Sequence, residues 1–175
     1  DTKGPEYRIR TFKDGKIELK AGAPFTFTTD EVEGDQTIVS VSYKNLNKDL
    51  NVGDRILLNN GLMEFVVKEI KGNNIITEVT VGGVLSDRKS MSFPNKVLKQ
   101  KYLSEQDKQD ILFGIKNEVA YIACSFVSQK QDLLDVKQFL KENDGEDIDL
   151  IAKIENQAGV DNIEEICEAC EGIMI

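Results

Sequence analysis

Ile151-Ala152-Lys153-Ile154-Glu155-Asn156 is the stretch from which the fold of this 175-residue chain is read. Side chains two apart on a strand share a face. Lys153 and Glu155 therefore point together, and Ala152 and Ile154 point to the other side. An unpaired charge buried at a strand end is costly. Barrel enzymes keep their chemistry where an apolar parallel strand meets its loop. The plain alternative is a surface strand end with two solvated charges, because charged side chains gather there for solubility too.

Around this stretch the pattern alternates. Ser104-Glu105-Gln106-Asp107 has the form of a helix capping box, and Ile111, Leu112 and Ile115 follow it as an apolar stripe. Val119–Val127 is an apolar run of strand length. Asp132–Glu142 is helical, with Leu133, Val136, Phe139 and Leu140 on one face, and Asn143-Asp144-Gly145 stops it. Asp149–Glu155 is a strand, Asn162–Cys170 a third helix, and Gly172–Ile175 a further apolar strand. Helix and strand in alternation are the mark of parallel βα units, in a barrel or in a doubly wound sheet. A bare apolar strand leaves backbone groups unpaired, so the natural protein is expected to continue past Ile175.

Upstream the period is two. Tyr7–Thr11 and Lys16–Lys20 flank Asp14-Gly15, a hairpin dipeptide. Phe25–Thr28, Thr37–Val41, Arg55–Leu58, Leu62–Ile70 and Ile75–Val81 follow, with turns at Asn60-Gly61 and Gly72-Asn73-Asn74. Seven short strands predict a small antiparallel barrel or sandwich. Met63 and Phe65 are expected in its core.

Charge divides the chain in the same place. Residues 1–92 hold 13 Lys and Arg against 14 Asp and Glu, whereas residues 93–175 hold 9 against 17. The acidic second half argues against a general nucleic-acid role, which needs a basic footprint. No apolar run approaches the ~20 residues of a membrane helix. With no histidine, Ser-His and Cys-His nucleophile pairs are excluded. Cys124, Cys167 and Cys170 form no disulfide framework, so a reducing cytoplasm is expected. All three are read as core thiols, the Cys167-x-x-Cys170 pair on the apolar stripe of its helix. The acidic run Glu142–Asp149 is a solvated turn without the spacing of a calcium loop.

Asp1-Thr2-Lys3-Gly4-Pro5-Glu6-Tyr7-Arg8 packs charge around a Gly-Pro turn, which fits an oxygen-rich ion or phosphate site or a polar hinge. This segment resembles the Asp-Thr-Lys-Gly-Pro-Glu-Ile-Arg signature of pyruvate kinases, with Tyr7 for Ile. Ile151–Asn156 resembles the same family's hydrophobic-small-Lys-Ile-Glu-Asn active-site signature. Asn60-Gly61-Leu62, Ser104–Asp110 and Ala123-Cys124-Ser125-Phe126-Val127 match further family stretches, in order.

The resemblance implies an α/β plus all-β fold, a small antiparallel β-barrel lid inserted into a partial TIM barrel. Residues 1–5 would end barrel strand 3, residues 6–92 would be the lid, and residues 93–175 would carry strands 4 to 6. It implies Lys153 as the catalytic lysine and Glu155 as a ligand of Mg2+ or Mn2+. Asp1 and Thr2 would be ligands of K+, and Arg8 and Lys89 would meet nucleotide phosphates. The implied reaction passes a phosphoryl group from phosphoenolpyruvate to ADP, giving pyruvate and ATP, in a cytoplasmic homotetrameric parent; this piece alone is expected to be inactive. The chain departs from the family at Ser42, Ser92, Asn95 and Ser128. Two other readings are a non-catalytic β-barrel binding module and another metal-dependent barrel enzyme acting on phosphoenolpyruvate or a keto acid.

Overall fold

Alternating apolar side chains need an opposing apolar face, and the segment Tyr7–Lys99 supplies its own. The structure, a computed structural model, describes every residue except Asn95 and Val97; the family departure at Asn95 lies outside the described residues. The chain divides into two compact units, Tyr7–Lys99 and Asp1–Glu6 with Gln100–Ile175.

The first unit is built from β1 (Lys16–Leu19), β2 (Pro24–Thr28), β3 (Ile38–Ser40), the single helical turn α1 (Leu46–Asp49), β4 (Arg55–Leu58), β5 (Met63–Lys71), β6 (Asn74–Val81), β7 (Gly83–Ser86) and β8 (Met91–Ser92). Six strands form one sheet in the order β3-β2-β6-β5-β4-β8. The hairpin β4–β5 turns at Asn59–Leu62, where Asn59, Asn60 and Gly61 all take positive φ, the conformation Asn and Gly tolerate best. The hairpin β5–β6 turns at Gly72-Asn73. Phe25, Phe27 and Phe65 meet at the centre with ring centroids 5.1–5.8 Å apart, and Met63 and Phe65 are buried as expected.

Two expectations are corrected here. The Tyr7–Thr11 stretch does not form a hairpin with β1. Its Arg8 and Ile9 bridge antiparallel to Ser90 and Val41, so this short stave joins the β8 side of the sheet to the β3 side and closes the barrel. With Ile9 engaged by both neighbours, β1 pairs instead with β7, and Asp87 Oδ1 accepts the Phe12 N–H at 2.8 Å. Nor is the barrel wholly antiparallel. The loop 29–37, pinned by Ser40 Oγ accepting the Val32 N–H at 2.7 Å, carries the chain back so that β3 runs parallel to β2.

The second unit contains α2 (Glu105–Lys116), β9 (Tyr121–Cys124), α3 (Lys130–Lys141), β10 (Asp149–Lys153), α4 (Gln157–Asp161), α5 (Ile163–Cys167) and β11 (Gly172–Met174). The strands form a parallel sheet in the order β11-β10-β9. The Thr2 N–H donates to Ala123 O at 2.9 Å, laying the opening residues beside β9. Ile111, Leu133, Val136, Leu140 and Ile166 pack with Ile122, Leu150 and Ala152 of the sheet. The expected capping box forms, with Ser104 as N-cap and Asp107 at the third helical position.

The expected single helix Asn162–Cys170 is divided. Asn162 leaves helical geometry (φ −103°, ψ 19°) while its side-chain amide donates to Ser128 O at 2.8 Å. Because α5 ends at Cys167, the helical stripe does not carry on, and Ala169 takes the buried position. Cys167 is exposed and Cys170 half-buried, against the expectation of two core thiols; Cys124 is fully buried, and burial pushes its thiol up to about 12.

Candidate active site

At the carboxyl end of β10 the backbone alternation delivers what the sequence promised. Lys153 and Glu155 lie on one side, the Lys153 Nζ 3.4 Å from Glu155 Oε1. The same ammonium stands 3.5 Å from Asp1 Oδ2 and 3.0 Å from Ser125 Oγ. One of its N–H groups donates to Ser125 Oγ, and the Asp1 and Glu155 carboxylates stand at ion-pair distance. Lys153 is mostly buried, its side chain 18% exposed, while Asp1 is 61% exposed and opens the cluster to solvent.

Three local devices hold this geometry. The first is the loop after β9. Ser125 Oγ donates to Thr2 O at 2.8 Å, and the Ser125 N–H reaches Thr2 Oγ1 at 3.2 Å. The buried Tyr102 hydroxyl donates to Ser125 O at 2.7 Å, and burial raises its pKa. The second is the backbone of Phe126, which takes a left-handed φ of 57°. That conformation is costly for a bulky residue and is found where surrounding structure enforces it. Here it turns the Phe126 N–H onto Glu155 Oε2 at 3.0 Å. The third is Asn156, whose Oδ1 caps α4 by accepting the Gly159 N–H at 2.8 Å while its amide donates to Phe126 O at 3.3 Å. A Cβ at Gly159 would stand 2.5 Å from Val127 O, so glycine is required there.

Of the residues singled out from the sequence, Asp1, Thr2, Lys153 and Glu155 are brought together. Arg8 and Lys89 stand side by side on the other unit. Arg8 bridges Ser90, the Ile9 N–H donates to Lys89 O at 3.0 Å, and Arg8 Nη1 donates to Arg88 O at 2.7 Å. Ser42, where the family often has Asp, accepts the Arg8 N–H on Oγ at 2.9 Å. Ser128, another departure, donates its N–H to Asp132 at the start of α3. Sequence reading missed Ser125 as the bridge between Thr2 and Lys153, and missed the backbone donor at Phe126. A serine and a phenylalanine in an apolar run carry no local signal of either role.

The oxygens present are hard donors. Among the described residues no three His, Cys, Asp or Glu side chains gather as a metal cage. Glu155, partly exposed and already fixed by Phe126, offers the single carboxylate that magnesium or manganese would take, with water and substrate oxygens completing the shell. Asp1 adds an exposed carboxylate, while both Thr2 oxygens are bonded to Ser125.

Comparison with known proteins agrees along the whole chain. Residues 1–175 match the family model described as pyruvate kinase, barrel domain. A pyruvate kinase of Clostridium perfringens is 45% identical over 176 residues, covering 100% of this chain and 37% of its own length. One of Geobacillus stearothermophilus is 41% identical over 177 residues, covering 100% of this chain and 30% of its own. The crystal structure of a pyruvate kinase from Cryptosporidium parvum superposes with a TM-score of 0.89 at 35% identity, over 100% of this chain and 37% of that one. The chain thus spans about a third of the length of the relatives it matches, with their α/β barrel-domain fold. By a match that runs from its first residue to its last, this chain belongs to the pyruvate kinase family.

Proposed function

We propose that this chain supplies the lysine-and-glutamate half of a centre that moves a phosphoryl group from phosphoenolpyruvate to ADP, giving pyruvate and ATP, in a longer cytoplasmic, homotetrameric parent. Lys153 is the catalytic residue. The bond from the substrate's enol oxygen to phosphorus breaks as the bond to a terminal oxygen of ADP forms, and the electron pair stays on the enolate, which a proton then converts to pyruvate. Charge spreads over the phosphoryl oxygens in flight, and a pre-placed ammonium offsets it without reorganisation. When phosphate oxygens arrive, Lys153 exchanges its long contacts to Asp1 and Glu155 for them and keeps Ser125 as its fixed partner. Glu155 would hold Mg2+ or Mn2+, which supplies Lewis-acid polarisation of the phosphoryl oxygens; Asp1 and Thr2 would hold K+. Residues 6–92 act as the lid, with Arg8 and Lys89 toward the nucleotide phosphates. Residues 1–5 and 93–175 belong to barrel strands 3 to 6.

The observation that carries this reading is the convergence of Asp1, Ser125 and Glu155 on the Lys153 ammonium within 3.5 Å. Lys153→Met in the full-length parent, assayed for ADP-dependent pyruvate formation, is expected to lower kcat by at least about 10²–10³ with an unchanged thermal midpoint. Retained activity would overturn the assignment.

A further inference from the structure

Asp107 is 1% exposed, and a buried carboxylate needs hydrogen bonds. Helix capping accounts for half of what it receives. Its Oδ2 accepts the Ser104 N–H at 3.2 Å and the Ser104 hydroxyl at 2.6 Å, while the Asp107 N–H donates to Ser104 Oγ at 3.1 Å. A cap is complete with these. The other oxygen does something a cap does not require: Oδ1 accepts the backbone N–H groups of Lys3 at 2.8 Å and Gly4 at 3.1 Å. The partners lie more than a hundred residues away in sequence, directly after Asp1 and Thr2.

The two carboxylate oxygens therefore serve two structures, the start of α2 and the segment that leads into the site. Gly4 gives this anchor its shape. It sits at φ 67°, with a would-be Cβ 2.3 Å from Ser125 O, so the chain is pressed against the β9 loop and turned so that two successive N–H groups face one oxygen. We infer that Asp107 is a positioning residue, which fixes the Asp1 and Thr2 oxygens against Ser125 and Lys153 by holding the backbone of Lys3 and Gly4. The inference rests on the function proposed above, since it says which side chain sets the proposed potassium-side oxygens.

The test separates anchoring from capping. In the full-length parent, Ser104→Ala removes the cap hydroxyl and leaves Asp107 Oδ1 on Lys3 and Gly4. Asp107→Ala removes both roles. Asp107→Asn can keep its carbonyl on Lys3 and Gly4 and turn its amide to Ser104. Three readouts are taken, namely the thermal midpoint, hydrogen exchange at the Lys3 and Gly4 amides, and the potassium concentration for half-saturation measured by binding without substrates and again by activity. Asp107→Ala is expected to speed exchange at Lys3 and Gly4 at least tenfold and to raise the potassium half-saturation at least tenfold in both measurements. Asp107→Asn should lie between wild type and Asp107→Ala. Ser104→Ala should lower the midpoint and leave exchange and potassium response near wild type. If Ser104→Ala shifts both as far as Asp107→Ala does, the effect is capping alone and the inference fails. Wild-type protein without phosphoryl transfer would instead sink the proposed function, while the exchange and binding arms would still judge the anchor.

Discussion

The two units bury different kinds of polar group. In Tyr7–Lys99 the buried polar side chains among the described residues are neutral hydroxyls, Thr28, Thr29, Ser40 and Thr77. In the other unit they include the carboxylates Asp107 and Asp132 beside Thr2 and Ser125. A hydroxyl costs little to bury when hydrogen-bonded; a carboxylate costs far more. The barrel unit is thus stabilised by apolar contact around its phenylalanines. The βα unit spends part of its stability on burying two carboxylates in the first turns of α2 and α3. Burial raises the Asp132 carboxyl above its ordinary value even though the Ser128 and Gln129 N–H groups favour the ionised form.

Three further substitutions probe this contrast. The largest effect is expected from Phe65→Ala, which empties the centre of the ring cluster and should cost about 3–5 kcal/mol. Hydrogen exchange should accelerate across residues 7–99 and leave β9–β11 protected; equal acceleration in both units would show that they share one core. Gly4→Ala comes next. The left-handed backbone alone costs about 1–2 kcal/mol for an L side chain, and the Cβ meets Ser125 O. Exchange at the Ser125 amide, now held by Thr2, should quicken while the barrel unit is unmoved, and wild-type exchange there would contradict the packing described. The smallest effect is at Asp54. Burial works to raise this carboxyl, but the Lys96 ammonium at 2.8 Å and the Asn51 N–H outweigh it and hold it below its ordinary 3.8. A lowered folded value means stabilisation that is present above pH 3.8 and lost as the pH falls through the folded value. Asp54→Asn should cost less than about 1 kcal/mol at pH 7, and the urea midpoints of the two proteins should converge below pH 3.8.

Legibility followed the range of the forces involved. Local periodicity located β2, β4, β5, β6 and α3 to within a residue or two, and the capping box located the start of α2, because each is decided by its own side chains. The strand parity of Lys153 and Glu155 was readable for the same reason. The barrel's closure was not. Arg8–Ile9 satisfies the strand pattern, but its neighbours Val41 and Ser90 are chosen by long-range pairing. β7 and β8 are too short and too mixed to stand out. The bend at Asn162 depends on a hydrogen bond to Ser128, 34 residues away, and with it went the placement of Cys167. Asp107 was legible as a cap; its second oxygen, turned to Lys3 and Gly4, was not.

The stave that closes the barrel has an architectural consequence. Tyr7 O accepts the Met91 N–H at 2.8 Å, so the chain enters and leaves this ladder at adjacent points. A module whose two ends touch can be carried within a host polypeptide at little loop-closure entropy, and such modules tolerate being transplanted or rewired. A short Gly-Ser splice joining the stave to β8, with new ends opened at the exposed Asn51–Val52 turn, would yield a circularly permuted barrel with every rung of the sheet retained.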